Sequence, residues 1–331
     1  MKNKKLWILL AFPSLVGLVI GGFFWTHRQS LTGAKLMELL PPESDIYFAA
    51  DLPALGANAA VRKLLSDPSA LPRDQDYERF LQATGFHYQT DLKEVALAKN
   101  GADWAGAARV RIDRTKMVQY LDSQGAQKSD ALGKTVYVFG RQRPFRLAML
   151  GQDGQETLVA FTVGGDETRI RQAVEREAGK LETSAAAELQ RADLSRIAPG
   201  SASWMVARAD RLLGTGSGET QVGGFGIGTA MLRGSQQFYL SVDSGPAQLN
   251  LRVEDYCDSA TSAQRIAGAV LSTLALLKAM PADKAAMSKS ATNPGALLAG
   301  VSVEQQQQSV LLRWRLDEEA MKLLGASQTA P

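Results

Sequence analysis

One phrase occurs twice in this chain. Leu40–Leu52 reads LPPESDIYFAADL and Ile197–Leu213 reads IAPGSASWMVARADRLL. Each places a proline before a small polar cluster, then an aromatic-bearing apolar run, then an acid. Pro42 and Pro199, 157 residues apart, bring the two into register. A chain that restarts the same strand leader at that distance is constrained to two copies of one unit, each within the ~100–200 residues usual for a domain.

The landmarks continue in the same order. Thr84–Asp113 and Gly223–Asp255 each run from Gly-Phe through a strand, a Gly-containing turn and a second strand that ends near Arg-x-acid. The predicted strands are Lys93–Lys99 with Ala105–Ile112, and Gln236–Val242 with Ala247–Val253. KNGAD and DSGPA supply the hairpin turns. A helix follows each hairpin: Thr115–Ser123 in the first copy and Ser259–Met280 in the second. In the longer one Ile266, Val270, Leu274 and Leu277 recur at helical spacing, and Pro281 stops it. Further strands are expected at Thr135–Phe139, Phe145–Leu150 and Thr157–Val163, matched by Ala299–Gln306 and Ser309–Leu316. Each copy closes on an acid-capped helix, GGDETRIRQAVERE or LDEEAMKLLG. Alternation in VALAK and ARVRI points to antiparallel sheets with helices on one face.

Ahead of the copies, Leu6–Trp25 is an uncharged run of 20 residues with Trp7 and Trp25 near its ends. As a helix it would span about 30 Å, the thickness of a bilayer core. Lys2, Lys4 and Lys5 precede it and Arg28 follows. The positive-inside rule then puts the N-terminus in the cytoplasm and the body outside. The expected fold class is therefore α+β: an N-terminal transmembrane helix followed by two related antiparallel-sheet-plus-helix repeats. The expected divisions are a tail and anchor over 1–28, a first repeat over 29–195, and a second over 196–331 carrying a Gly-rich loop at 214–228.

Charge narrows the function. The chain has a formal net charge of +3, but residues 1–30 hold four basic residues and no acid. The remainder, with 33 basic and 34 acidic residues, balances to −1 and has no field to attract polyphosphate. Nucleic acid is thus not an expected partner. Cys257 is the single cysteine, so neither an internal disulfide nor a cysteine metal site is available. His87 is the one histidine beyond the N-terminal segment, and neither G-x-S-x-G nor H-E-x-x-H accompanies it. No catalytic, cofactor or metal site is expected.

GTGSGETQVGGFGIG, Gly214–Gly228, invites comparison with a phosphate loop. In the G-x-x-x-x-G-K-[ST] frame Leu213 replaces the first Gly and Glu219 replaces the Lys. A carboxylate there repels a phosphate by about 1 kcal/mol in water at ~4 Å and more inside a protein, so nucleotide is excluded too. The stretch occupies the place that two short helices fill in Ala54–Thr84 of the first copy, and reads as a mobile loop. Its Phe225 and Ile227, and Arg141, Arg143 and Arg146 of the basic run GRQRPFRLAML, are the candidate partner contacts.

The leader LPPES resembles the LP-x-[DE]-[ST] strand leader of a group of single-pass bacterial envelope proteins with extracytoplasmic repeats. The resemblance extends over the general organisation of residues 40–325. The resemblance carries no activity; the anchor and its short basic tail are what lead to an expected inner-membrane protein with its body in the periplasm, partnered by the lipid bilayer through Leu6–Trp25 and by an envelope protein. The function expected is a non-enzymatic binding or scaffold module. The alternatives are a carboxylate-dependent envelope hydrolase and a secretion or pilus-assembly component.

Overall fold

A computed structural model describes residues 31–66, 75–140, 143–153, 155–165, 167–189, 194–212, 219–222, 225–279, 297–317 and 319–321. The first copy contains α1 (Ala34–Met37), β1 (Ile46–Asp51), the short helices α2 (Leu52–Gly56), α3 (Ala59–Ser66), α4 (Gln75–Thr84) and α5 (Tyr88–Asp91), and the hairpin β2 (Leu92–Asn100) and β3 (Asp103–Val110). It continues with α6 (Arg114–Ser123), β4 (Gln127–Ala131), β5 (Lys134–Phe139), β6 (Phe145–Asp153), β7 (Glu156–Val163), α7 (Thr168–Glu177) and α8 (Ala185–Leu189). The second contains β8 (Ser203–Arg208), α9 (Ala209–Leu212), β9 (Glu219–Val222), β10 (Phe225–Gly228), β11 (Ser235–Ser244), β12 (Leu249–Cys257), α10 (Ala260–Ala279), β13 (Val301–Gln306) and β14 (Ser309–Leu316).

The expectation of an anchor ahead of two separate sheets is corrected. Leu6–Trp25 lies outside the described residues, and among the described residues no helix is long and apolar enough to cross a membrane. The strands form one twelve-stranded sheet in the order β13-β14-β12-β11-β8-β1-β2-β3-β7-β6-β5-β4, with every neighbouring pair antiparallel. The cause is the pairing of the two leader strands. β1 and β8 would each be an open edge of its own unit, and each satisfies the other's backbone groups instead. Their register sets Phe48 opposite Met205, Tyr47 opposite Val206 and Ala49 opposite Trp204. Under the Pro42-to-Pro199 shift, Phe48 corresponds to Met205. Equivalent residues thus pair with each other, and a local two-fold axis passes between them. Outward from it, β1-β2-β3-β7-β6 mirrors β8-β11-β12-β14-β13, and the β4–β5 hairpin is the first copy's addition.

Two further differences have local causes. The β11–β12 hairpin turns two residues later than expected: Ser244 pairs with Leu249 and the Gly245 amide donates to the Gln248 carbonyl at 3.0 Å, so β12 runs from Leu249 to Cys257 rather than Ala247–Val253. Within the Gly-rich stretch, β9 and β10 pair as a two-stranded hairpin apart from the main sheet.

A row of alanines lies across the middle of one face. Ala49, Ala96, Ala107, Ala160 and Ala148 are direct cross-strand neighbours on β1, β2, β3, β7 and β6, and each is fully buried. Side chains this small let the covering layer approach closely. Leu36, Met37 and Leu40 of the α1 segment and Ile170, Ala173 and Val174 of α7 belong to the same core. Burying each of the large aliphatic side chains contributes roughly 1.5–3 kcal/mol. The approach is closest at Gly33 (φ 74°), where a Cβ would come within 2.6 Å of the Ala49 Cβ. Trp204, 1% exposed, donates from Nε1 to the Thr32 carbonyl at 2.8 Å, and Thr32 Oγ1 donates to the Ser201 carbonyl at 2.7 Å. The start of the first copy is thereby fastened to the second.

On the opposite face the two equivalent helices α6 and α10 cover the flanks. Met117 and Leu121 of α6 pack with Tyr137, Met149 and Val159, and Ala263, Ile266 and Ala267 of α10 with Cys257 and Val310. Asp113 caps α6 by accepting from the Thr115 and Lys116 amides at 3.0 and 3.1 Å. Gly106 is required on this face because the ring of its cross-strand partner Phe161 lies over it; an added Cβ would sit 2.2 Å from that ring. Phe161 in turn stacks on Phe145, with centroids 5.8 Å apart. Gly106→Ala is expected to cost about 1–3 kcal/mol through overpacking, and Gly106→Ala with Phe161→Leu to recover part of it, as read by urea unfolding.

Candidate functional site

The residues of the repeated leader in the first copy, Pro41–Asp45, form a wall between two clefts. Pro41 and Pro42 cannot continue α1. Glu43 then adopts a left-handed φ of 58°, unusual for a residue with a side chain. Its amide donates to the carboxylate of Glu188 on α8. The amide of Ser44 donates to the Tyr47 hydroxyl at 2.9 Å, and that hydroxyl donates to the same Glu188 oxygen. Asp45 is tied on two sides: its amide donates to the Lys99 carbonyl at 2.7 Å and its carbonyl accepts from Arg208 N–H at 2.9 Å. The Asp45 carboxylate accepts from the Gly101 amide at 2.7 Å. The wall is thus joined to the β2–β3 turn, to β8 and to α8.

On one side lies a cleft of about 410 Å³, bounded by Pro41, Pro42, Glu43 and Asp45, by Asn100, and by Arg169, Gln172, Arg176, Thr183, Arg208 and Arg211. On the other is one of about 460 Å³, bounded by Ser44, Tyr47 and Glu188, by Arg208 and Asp210, and by Ser235, Gln236, Gln237 and Tyr256. Asp45 and Arg208 border both. The first is rich in guanidinium groups; the second is lined by phenols, amides and acids.

Tyr47, 4% exposed, has its pKa pushed upward, first by burial and then by its hydrogen bond to Glu188. Tyr256 carries the Arg196 guanidinium 4.4 Å from its ring centroid. Arg196 is ion-paired with Glu254, which is buried and also accepts from Arg252 at 3.1 Å; Ser309 Oγ accepts from Arg196 at 2.9 Å. This charged group braces the second cleft from beneath.

The sequence-based candidates fall elsewhere. Arg143 donates to the Ala102 carbonyl and Arg146 to the Gly164 carbonyl, the latter at 3.0 Å, so both are spent on holding backbone. Arg141 lies outside the described residues. Phe225 and Ile227 stand on β10, opposite Val222 and Thr220 of β9. Cys257 is buried, and burial pushes its thiol up to about 12. The leader itself was marked in the sequence, but as a strand start and not as a cleft wall. The arginines carry no contiguous signal, because two stand on α7, one ends β8 and one lies on α9.

No protein-family model and no curated protein matches the chain. Among solved structures it is similar to TP0453 in three crystal forms. Form III aligns with a TM-score of 0.49 at 9% identity, covering 88% of this chain and 98% of that chain. Form IV gives 0.46 at 8%, covering 89% and 96%, and form I gives 0.44 at 7%, covering 88% and 96%. Similarity at this level assigns neither a family nor a function.

Tyr47→Phe removes the hydroxyl that joins Ser44 to Glu188 and is expected to cost about 1–3 kcal/mol in urea unfolding, with faster amide exchange at Ser44. Asp255, 6% exposed and accepting from Ser235 at 2.8 Å behind the wall of the second cleft, supplies a pH test. Burial raises its pKa from 3.8 to about 6. The folded state therefore holds this proton more tightly than the unfolded one. The resulting stability is complete below about pH 4 and is lost as pH rises through about 6. Asp255→Asn cannot ionise, so its stability relative to wild type is expected to be higher at pH 8 than at pH 4 by about 1–3 kcal/mol, measured by unfolding at both values.

Proposed function

We propose that this protein is a non-enzymatic binding module of the bacterial cell envelope, with its body outside the cytoplasm and its ligand or partner engaged at the leader-walled clefts. The observation that carries this reading is the position of Pro41–Asp45. The residues that resemble an envelope-protein leader are the ones that separate and shape both clefts.

The chemistry of the walls favours binding over hydrolysis. A carboxylate-dependent hydrolase needs two acids free to act on one substrate. Here Glu188 accepts from Tyr47 and the Glu43 amide, and Asp45 from the Gly101 amide, so among the described residues each cleft keeps one uncommitted acid: Glu43 in the first, and in the second Asp210, 3.6 and 3.8 Å from Arg208 and Arg211. Asp255, the carboxylate with the raised pKa, borders neither cleft.

A photo-crosslinking residue placed at Glu43 or Gln236 in living cells is expected to capture an envelope component. The same residue at Lys116, exposed on α6, is expected not to. Equal capture from all three positions, or none from the cleft positions, would remove the reading.

A further inference from the structure

The first cleft gathers four guanidinium groups and gives them little to hold. Arg169, Gln172 and Arg176 stand at spacings of three and four on α7, so they share one side of the helix. Arg208 ends β8 and Arg211 lies on α9, in the other copy. Arg176 is 8% exposed. Its Nε and Nη1 donate to the carbonyls of Thr183 at 2.6 Å and Leu39 at 3.3 Å. Among the described residues no carboxylate lies within 4 Å of it. A buried cation held only by neutral carbonyls is costly until an anion reaches it, and burial lowers its pKa accordingly.

The other three have distant partners. Arg169 is 3.6 Å from Asp103, and Arg208 and Arg211 share one oxygen of Asp210 at 3.6 and 3.8 Å. None of these contacts is a hydrogen bond, and Arg208 and Arg211, 40% and 60% exposed, can turn their N–H groups to a ligand in the cleft. A carboxylate is satisfied by a single guanidinium fork. A phosphate presents three oxygens and up to two charges, and can engage several forks together.

We infer that this cleft binds the phosphate group of a small phosphate ester, with Arg176 at its floor and Arg169, Arg208 and Arg211 around it. Glu43 and Asp45 on the wall keep the phosphate to the arginine side and accept from hydroxyls on the organic part. At about 410 Å³ the cleft is within the size range of small-ligand sites. The inference rests on the reading that the leader-walled clefts are the binding locus. The ester could be free or a lipid headgroup, and the test separates the two.

Full-length protein is titrated calorimetrically with glycerol 3-phosphate, and cosedimented with phosphatidylcholine vesicles with and without phosphatidic acid. Saturable binding is expected in at least one arm, weakened about tenfold or more by Arg208→Gln with Arg211→Gln. Arg176→Gln is expected to act in the same direction; the surface pair decides the matter should the buried variant fail to fold. Binding of glycerol 3-phosphate assigns a free ester, and vesicle binding alone assigns a headgroup. No binding in either arm, binding unchanged by the double substitution, or acetate binding as tightly as the ester would overturn the proposal. Capture of an envelope component at Glu43 without phosphate binding would leave the locus standing and remove the ligand. Phosphate binding without capture would leave the cleft and its ligand standing and remove the envelope partner.

Discussion

The structure depends on one contact: the antiparallel pairing of β1 with β8. It joins two halves of the chain that would each expose a strand edge, and makes one sheet of twelve strands. Because Phe48 lies opposite its equivalent Met205, the pairing is self-complementary, like the interface of a two-fold dimer within a single chain. It also decides where the clefts form. The leader that starts β1 and the residues that end β8 meet at the same end of the sheet, so Asp45 and Arg208 become neighbours and border both openings.

On either side of that contact, side-chain size determines what can lie over the sheet. The alanine row admits α1 and α7 close to the strands, and α7 brings Arg169 and Arg176 to the cleft. Residues with larger side chains along that row would lift the helix and its arginines away from the leader. The alanine face thus carries both the main core and the clefts, while the face bearing α6 and α10 carries two further packed clusters.

The sequence revealed the units better than their assembly. The Pro42–Pro199 shift located β1 and β8, and the alternation in VALAK located β2, because strand patterns are local. The fusion of the two sheets was not legible, since a buried leader strand reads the same whether its edge faces solvent or a partner. β4, with the polar sequence QKSDA, has no apolar alternation and was missed. The DSGPA signal points to a turn two residues before the one that forms, because Gly245 and Pro246 mark a turn without fixing its register. The search for charge favoured the contiguous run at Arg141–Arg146, whereas the cleft takes single arginines from α7, β8 and α9. Arg169, Gln172 and Arg176 at helical spacing were the available clue, and they look like the outer side of any amphipathic helix.

The order of synthesis follows from the same pairing. β1 leaves the ribosome long before β8, and about 150 residues must be added before its partner strand exists. At ~5–20 residues per second that interval lasts roughly 10–30 s. Throughout it, the nascent first half presents an open strand bearing Ile46, Tyr47 and Phe48, able to zip onto the β1 of another nascent chain. Antiparallel pairing of that strand with its own copy satisfies the same backbone groups, though without Trp204 and its bond to Thr32. Slow emergence of the second half is therefore a hazard built into this architecture, one that a holding chaperone would relieve.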